Sequence, residues 1–182
     1  TNTHIISVPA NTAQLKVLLY WNDPAASLMS RQTLVNDLDL QVLDASSATV
    51  LPKLLDSTVA NVGNIASSGA DHINNIEQIV IDHPSAGNYT IKIIPTAITQ
   101  NPSQEYFLVY DPIPVQLKLT SPAGGQGLVP GESTKISWEA YGYSSGTVTL
   151  DFSADNGISW NNIASGIDIN RSFYTWAVPN QP

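Results

Sequence analysis

Apolar residues recur along this chain at every second position, and no stretch holds a 3.6-residue apolar stripe for more than two turns. In residues 14–21, Leu15, Val17, Leu19 and Trp21 share one face while Leu18 and Tyr20 line the other. Residues 37–43 set Leu38, Leu40 and Val42 against Asp37, Asp39 and Gln41. Residues 76–82, 89–94 and 105–110 add strands rich in β-branched and aromatic side chains. Turn-forming runs separate them: Asn22-Asp23-Pro24, Pro84-Ser85-Ala86-Gly87-Asn88 and Asn101-Pro102-Ser103. Seven or eight short strands in about 110 residues predict an antiparallel, jelly-roll-like β-sandwich. Residues 51–75 are weakly patterned and predict long loops.

Asp111-Pro112-Ile113-Pro114 reads as the boundary of this first domain, residues 1–111. Two prolines in three positions stiffen the chain and remove two N–H donors, which predicts a short linker over 112–114. Beyond it, residues 115–182 predict a second, smaller sandwich of immunoglobulin or fibronectin-III type. Its expected strands are 115–120, 134–139, 147–153, 158–163 and 173–178, with Trp138 and Trp176 at strand centres. Such a sandwich takes about 100 residues and seven or more strands. Only about 70 residues remain here, so the expectation is a second domain that stops early. The fold class is therefore all-β.

Charge narrows the partners. Seven Lys and Arg against fifteen Asp and Glu give a net charge of −8, and charged residues make up only 12% of the chain. Nucleic acid and anionic membrane surfaces need clustered cations, so neither is an expected partner. Apolar runs such as residues 17–21 fall far short of the ~20 residues of a membrane helix. The sequence has no cysteine, which excludes disulfides, thiolate nucleophiles and Cys-ligated metals. Abundant Asn, Ser, Thr and Ala beside scarce cations suit a secreted or cell-surface protein, expected here as a monomer.

Several blocks occur in a telling order: residues 15–24 (LKVLLYWNDP), 34–42 (LVNDLDLQV), 74–81 (NNIEQIVI), 84–91 (PSAGNYTI) and 104–109 (QEYFLV). Together they resemble the β-sandwich that follows the catalytic domain in secreted subtilisin-like serine proteases, and more distantly the P domain of proprotein convertases. The second segment resembles the immunoglobulin-like modules of exported bacterial proteins, through residues 119–125 (LTSPAGG), 129–132 (VPGE), 136–138 (ISW), 150–160 (LDFSADNGISW) and 174–179 (YTWAVP). The resemblance implies a non-catalytic accessory region. Its partner would be the catalytic domain of the same parent polypeptide, which it would stabilise, and it would serve as spacer or interaction module.

The residues themselves argue against an enzyme. Neither Gly-Thr-Ser-Met nor His-Gly-Thr occurs, no Gly-x-Ser-x-Gly elbow is present, and the three histidines are His4, His72 and His83. Acidic groups are the remaining chemistry. Asp37 and Asp39 lie two apart on a strand, hence on one face about 6.5–7 Å apart. Asp23 follows the preceding strand, while Asn75 and Glu77 lead into a later one. Calcium takes six to eight hard oxygens of this kind, and the resemblance also implies calcium, so Asp23, Asp37, Asp39, Asn75 and Glu77 form the candidate metal set. Turn capping is the alternative use of the same groups.

Ser153-Ala-Asp-Asn-Gly-Ile-Ser-Trp160 fits the Asp-box turn of sialidase propellers, but one copy predicts only a tight hairpin, with Trp160 packed beneath it. Tyr141 and Tyr143 flank Gly142 in an expected loop, where exposed rings could stack on sugars. A carbohydrate- or protein-binding module, holding polysaccharide or a protein substrate, is thus the competing function.

Overall fold

The computed structural model describes residues 1–180. These form an all-β protein with no α-helix among the described residues, and no helix is long and apolar enough to cross a membrane. The chain divides into two compact units between Pro114 and Val115.

In the first unit the long strands are β1 (Asn2–Val8), β2 (Thr12–Trp21) and β3 (Asn36–Leu43). Three two-residue strands follow: β4 (Thr49–Val50), β5 (Lys53–Leu54) and β6 (Ser67–Ser68). The unit closes with β7 (Ile76–Asp82), β8 (Gly87–Ile98) and β9 (Tyr106–Pro114). One sheet has the order β1-β8-β3-β4, another the order β7-β2-β9, and β5 pairs with β6. All the pairings are antiparallel.

Strict alternation makes this packing possible, because period 2 puts every second side chain on one face. On β2, Leu15, Val17, Leu19 and Trp21 are fully buried; Leu40 and Val42 on β3, Ile79 on β7 and Ile91 on β8 meet them in a single cluster. The Trp21 indole N–H donates to Asn36 O at 2.9 Å. Asn36, itself fully buried, donates to Gln100 O and Gln104 Oε1 and accepts from the N–H groups of Thr99 and Gln100. One amide thus ties the start of β3 to the turn that follows β8.

Residues 112–114, expected as a linker, are the end of β9: Pro112 lies opposite Leu15, Ile113 opposite Gln14 and Pro114 opposite Thr12. β9 is an edge strand, and residues two apart aim their N atoms to the same side. An edge strand tolerates proline, because an N–H on its open side makes no ladder bond.

The second unit contains β10 (Gln116–Ser121), β11 (Ser133–Tyr141), β12 (Thr147–Phe152), β13 (Asn161–Asp168), a 3₁₀ turn (Ile169–Arg171) and β14 (Phe173–Ala177). The sheets are β10-β11-β14 and β12-β13. Trp138 anchors their core with Val148, Ile167 and Ile169, and its indole N–H donates to Ile169 O at 2.7 Å. Trp176 is only half-buried, its ring 5.1 Å from Phe152.

β13 starts at Asn161, later than the expected 158–163, because the Ser159 N–H donates to Asp155 Oδ1 rather than to a ladder. Asp155 also accepts from the hydroxyls of Ser153 and Ser159, which hold its carboxyl down at about 2, and Gly157 takes φ +87°. The turn is the tight hairpin expected. Trp160 lies against this turn, its Cζ2 3.8 Å from where a Cβ on Gly157 would stand, yet the residue stays 65% exposed.

Candidate functional site

β4 covers only Val42 and Leu43 of β3, leaving the preceding part of that edge without a ladder partner on its outer side. The Leu40 N–H on this open edge donates to Glu77 Oε2 at 2.6 Å, so a carboxylate from the facing sheet stands in for the missing strand. Glu77 is 2% exposed, and its other oxygen has no hydrogen-bond partner.

Asp37 and Asp39 lie beside it on β3. Pairing shifts here: Asp37 faces Ala97 and Leu38 faces Pro95, so Thr96 is the extra residue of a bulge. Pro95 has no N–H to donate, which suits such a site. The Thr96 hydroxyl donates to Asp39 Oδ2. His72, from the segment leading into β7, places Nδ1 2.8 Å from Asp37 Oδ2 and 3.6 Å from Asp39 Oδ1. Ligand atoms of Asp37, Asp39 and His72 all fall within 4.8 Å of one another. Asp37 Oδ1 and Asp39 Oδ1 are buried without hydrogen-bond partners.

Electrostatics follow from that crowding. Burial, reinforced by the charges of Asp39, Asp71 and Asp37, pushes the Glu77 carboxyl up from 4.5 to about 8. Burial also raises Asp37; the His72 hydrogen bond and charge oppose it, and Asp39 and Asp71 add to it. Asp37 Oδ1, Asp39 Oδ1 and Glu77 Oε1 are thus buried oxygens without a hydrogen-bond donor, and those of Asp37 and Asp39 belong to one group with His72 whose ligand atoms lie close enough to hold a cation.

The candidate set separates in space. Asp37 and Asp39 come together. Glu77 is buried, spends one oxygen on Leu40 N and is not in the 4.8 Å group. Asp23 does not join: its two oxygens accept from Val35 N and Asn36 N, each at 2.7 Å. The Asn75 amide nitrogen donates to Trp21 O at 2.8 Å. These two serve as caps.

His72 was missed by sequence reasoning, since 35 residues separate it from Asp37 and no local spacing marks the pair. Asp71, 8% exposed, adds charge to the cluster while accepting from Ile73 N, Asn74 N and Asn74 Nδ2.

A second feature is the outer face of β7-β2-β9. Tyr20 lies opposite Ile76 on one side and Phe107 on the other, and Leu18 lies opposite Val109. Phe107 is 51% and Val109 59% exposed, Ile76 is also exposed, and the Tyr20 and Phe107 rings stack at 6.1 Å. Tyr141, at the end of β11, and Tyr143, just after it, are both partly exposed in the second unit.

No protein-family model matches the chain. It is 35% identical over 109 residues to the protein named "Serine protease/ABC transporter B family protein tagA" of Dictyostelium discoideum, a match covering 60% of this chain and 6% of that protein. It is 28% identical over 104 residues to "Serine protease/ABC transporter B family protein tagB" of the same organism, covering 54% of this chain and 5% of that protein. The chain is thus distantly related to a small part of much longer proteins whose names include a serine protease.

Proposed function

We propose that the chain is a non-catalytic accessory region of a secreted subtilisin-like serine protease. Thr1–Pro114 packs on the catalytic domain of the same polypeptide, and the second unit acts as spacer or interaction module. The observation that carries this reading is the apolar outer face formed by Tyr20, Ile76, Phe107 and Val109. An antiparallel sheet that faces water alternates apolar-in with polar-out. Here one end of the outer face, around Tyr20, Ile76, Phe107 and Val109, is apolar, while Gln14, Lys16, Gln78, Asp82 and Asp111 keep the other end polar; an exposed apolar patch of this kind marks a contact surface. Interfaces between domains of one chain bury about 600–1,500 Å² in total, within reach of such a face. The distant relation to proteins named for a serine protease supports the choice of neighbour.

Two lysines at Phe107 and Val109, both exposed, leave the core untouched and place charge in the proposed interface. In the full-length parent, Phe107→Lys with Val109→Lys should shorten the protease's half-life at elevated temperature several-fold. An unchanged half-life rejects the reading.

Calcium belongs to the same reading: Asp37 and Asp39 would supply ligands, with His72 holding Asp37 in place and the buried Glu77 carboxyl giving up its proton as the ion binds. Its role would be structural, offsetting carboxylates that the fold has brought together. A polysaccharide- or protein-binding module is the second reading, favoured by the 65% exposed Trp160 with Tyr141 and Tyr143. Titrating Tyr141→Ala and Tyr143→Ala variants against candidate polysaccharides tests it: lost binding supports it, and no binding by the unaltered chain removes it.

A further inference from the structure

In the second unit, Leu117 and Leu119 of β10 lie opposite Ala140 and Trp138 of β11. Residues directly opposite one another in an antiparallel pair point to the same face. Trp138 is buried in the core, so both leucines face inward, yet they are 50% and 52% exposed. The facing sheet does not extend over them. They line a groove with Trp138, and its other wall is Val148, Thr149 and Leu150 of β12. Among the described residues β12 pairs only with β13, so its other edge is unpaired. An apolar trough and a row of free backbone groups therefore run along the same strand.

We infer that this edge of β12 is the seat of a further β-strand, an extended segment with apolar residues at alternate positions, supplied by the same parent polypeptide from outside these 182 residues. Backbone pairing with β12 gives such a segment its hold, and alternate side chains fill the space over Leu117, Leu119 and Trp138. Among the described residues the unit has five strands, where sandwiches of this kind have seven or more.

A second copy of the chain fits less well. Each copy carries a net charge of −8, and a stable interface takes about 800 Å² per partner, far more than a trough lined by six residues. A strand in the same polypeptide meets the edge at an effective concentration on the order of millimolar. The inference rests on the chain being part of a longer polypeptide, and not on that polypeptide being a protease.

The cysteine-free sequence allows a direct test. Leu119→Cys is introduced into the 182-residue chain and into the full-length parent, and native-state alkylation by iodoacetamide is timed; Leu117→Cys repeats the measurement at a second position. Leu55→Cys, 84% exposed in the first unit, is the control. The groove cysteine should react at an unhindered rate in the 182-residue chain at every protein concentration, and about 100-fold more slowly in the parent. The control should react similarly in both. Equal rates at the groove in both proteins would overturn the inference. Concentration-dependent protection of the shorter chain would assign the groove to a second copy and overturn the stated occupant. Amide exchange then reports the pairing: slowed exchange across Thr147–Phe152 in the parent supports an added strand, and unslowed exchange refutes it.

Discussion

Replacing Glu77 by glutamine removes the titrating group from the acidic cluster while keeping an oxygen for the Leu40 N–H. The Glu77 carboxyl stands at about 8 in the folded chain against 4.5 for the free group. The folded state therefore holds a proton that the unfolded state releases above 4.5. Its stabilising effect is fully present below 4.5 and is lost as pH rises through about 8. At pH 7 roughly 2.5 of those units have been crossed, a loss of about 3 kcal/mol. For a domain of this size that is roughly 10 °C in melting temperature.

In chelator, the first unit should melt progressively lower between pH 5 and pH 7.5, and Glu77→Gln should flatten that slope. Millimolar calcium should restore most of the loss in the unaltered chain and less of it in the variant. Scanning calorimetry against pH, with calcium or with chelator, checks both. Parallel melting curves for the two proteins across this range would refute the electrostatic argument. A melting temperature indifferent to calcium and chelator would remove the metal.

Asp23→Ala strips the acceptors from Val35 N and Asn36 N and should cost about 2 kcal/mol in urea unfolding while leaving any calcium response unchanged. Asn36→Leu abolishes four hydrogen bonds at a fully buried position and should cost about 3–5 kcal/mol by the same assay. The Asp155 turn, whose carboxyl sits at about 2, should keep its bonds above the ordinary 3.8 and lose them as pH falls through about 2. The Ser159 amide shift in an acid titration reads this directly.

The long strands of the first unit are legible in the sequence because each buries a full alternate set against the facing sheet. β7 occupies the residues expected, and β2 and β3 begin slightly earlier than their apolar alternation. β1 escaped notice because only Ile6 and Val8 among its residues turn inward. The two-residue strands β4, β5 and β6 are too short to carry any period. Asp37 and Asp39 could be placed together because strand geometry alone fixes two residues on one face. His72 could not, since its approach depends on how residues 51–75 fold back, and that stretch has no apolar rhythm. Asp23 has the composition of a ligand, but nearby backbone groups claimed both its oxygens first.

The two prolines at the end of β9 have a consequence for how the first unit meets other chains. Sheets grow by recruiting neighbours onto free margins, and crowded extracellular chains can form fibres that way. Pro112 and Pro114 offer no donor at that end of the border, so a stranger pairing with the first unit there meets two missing rungs in the ladder.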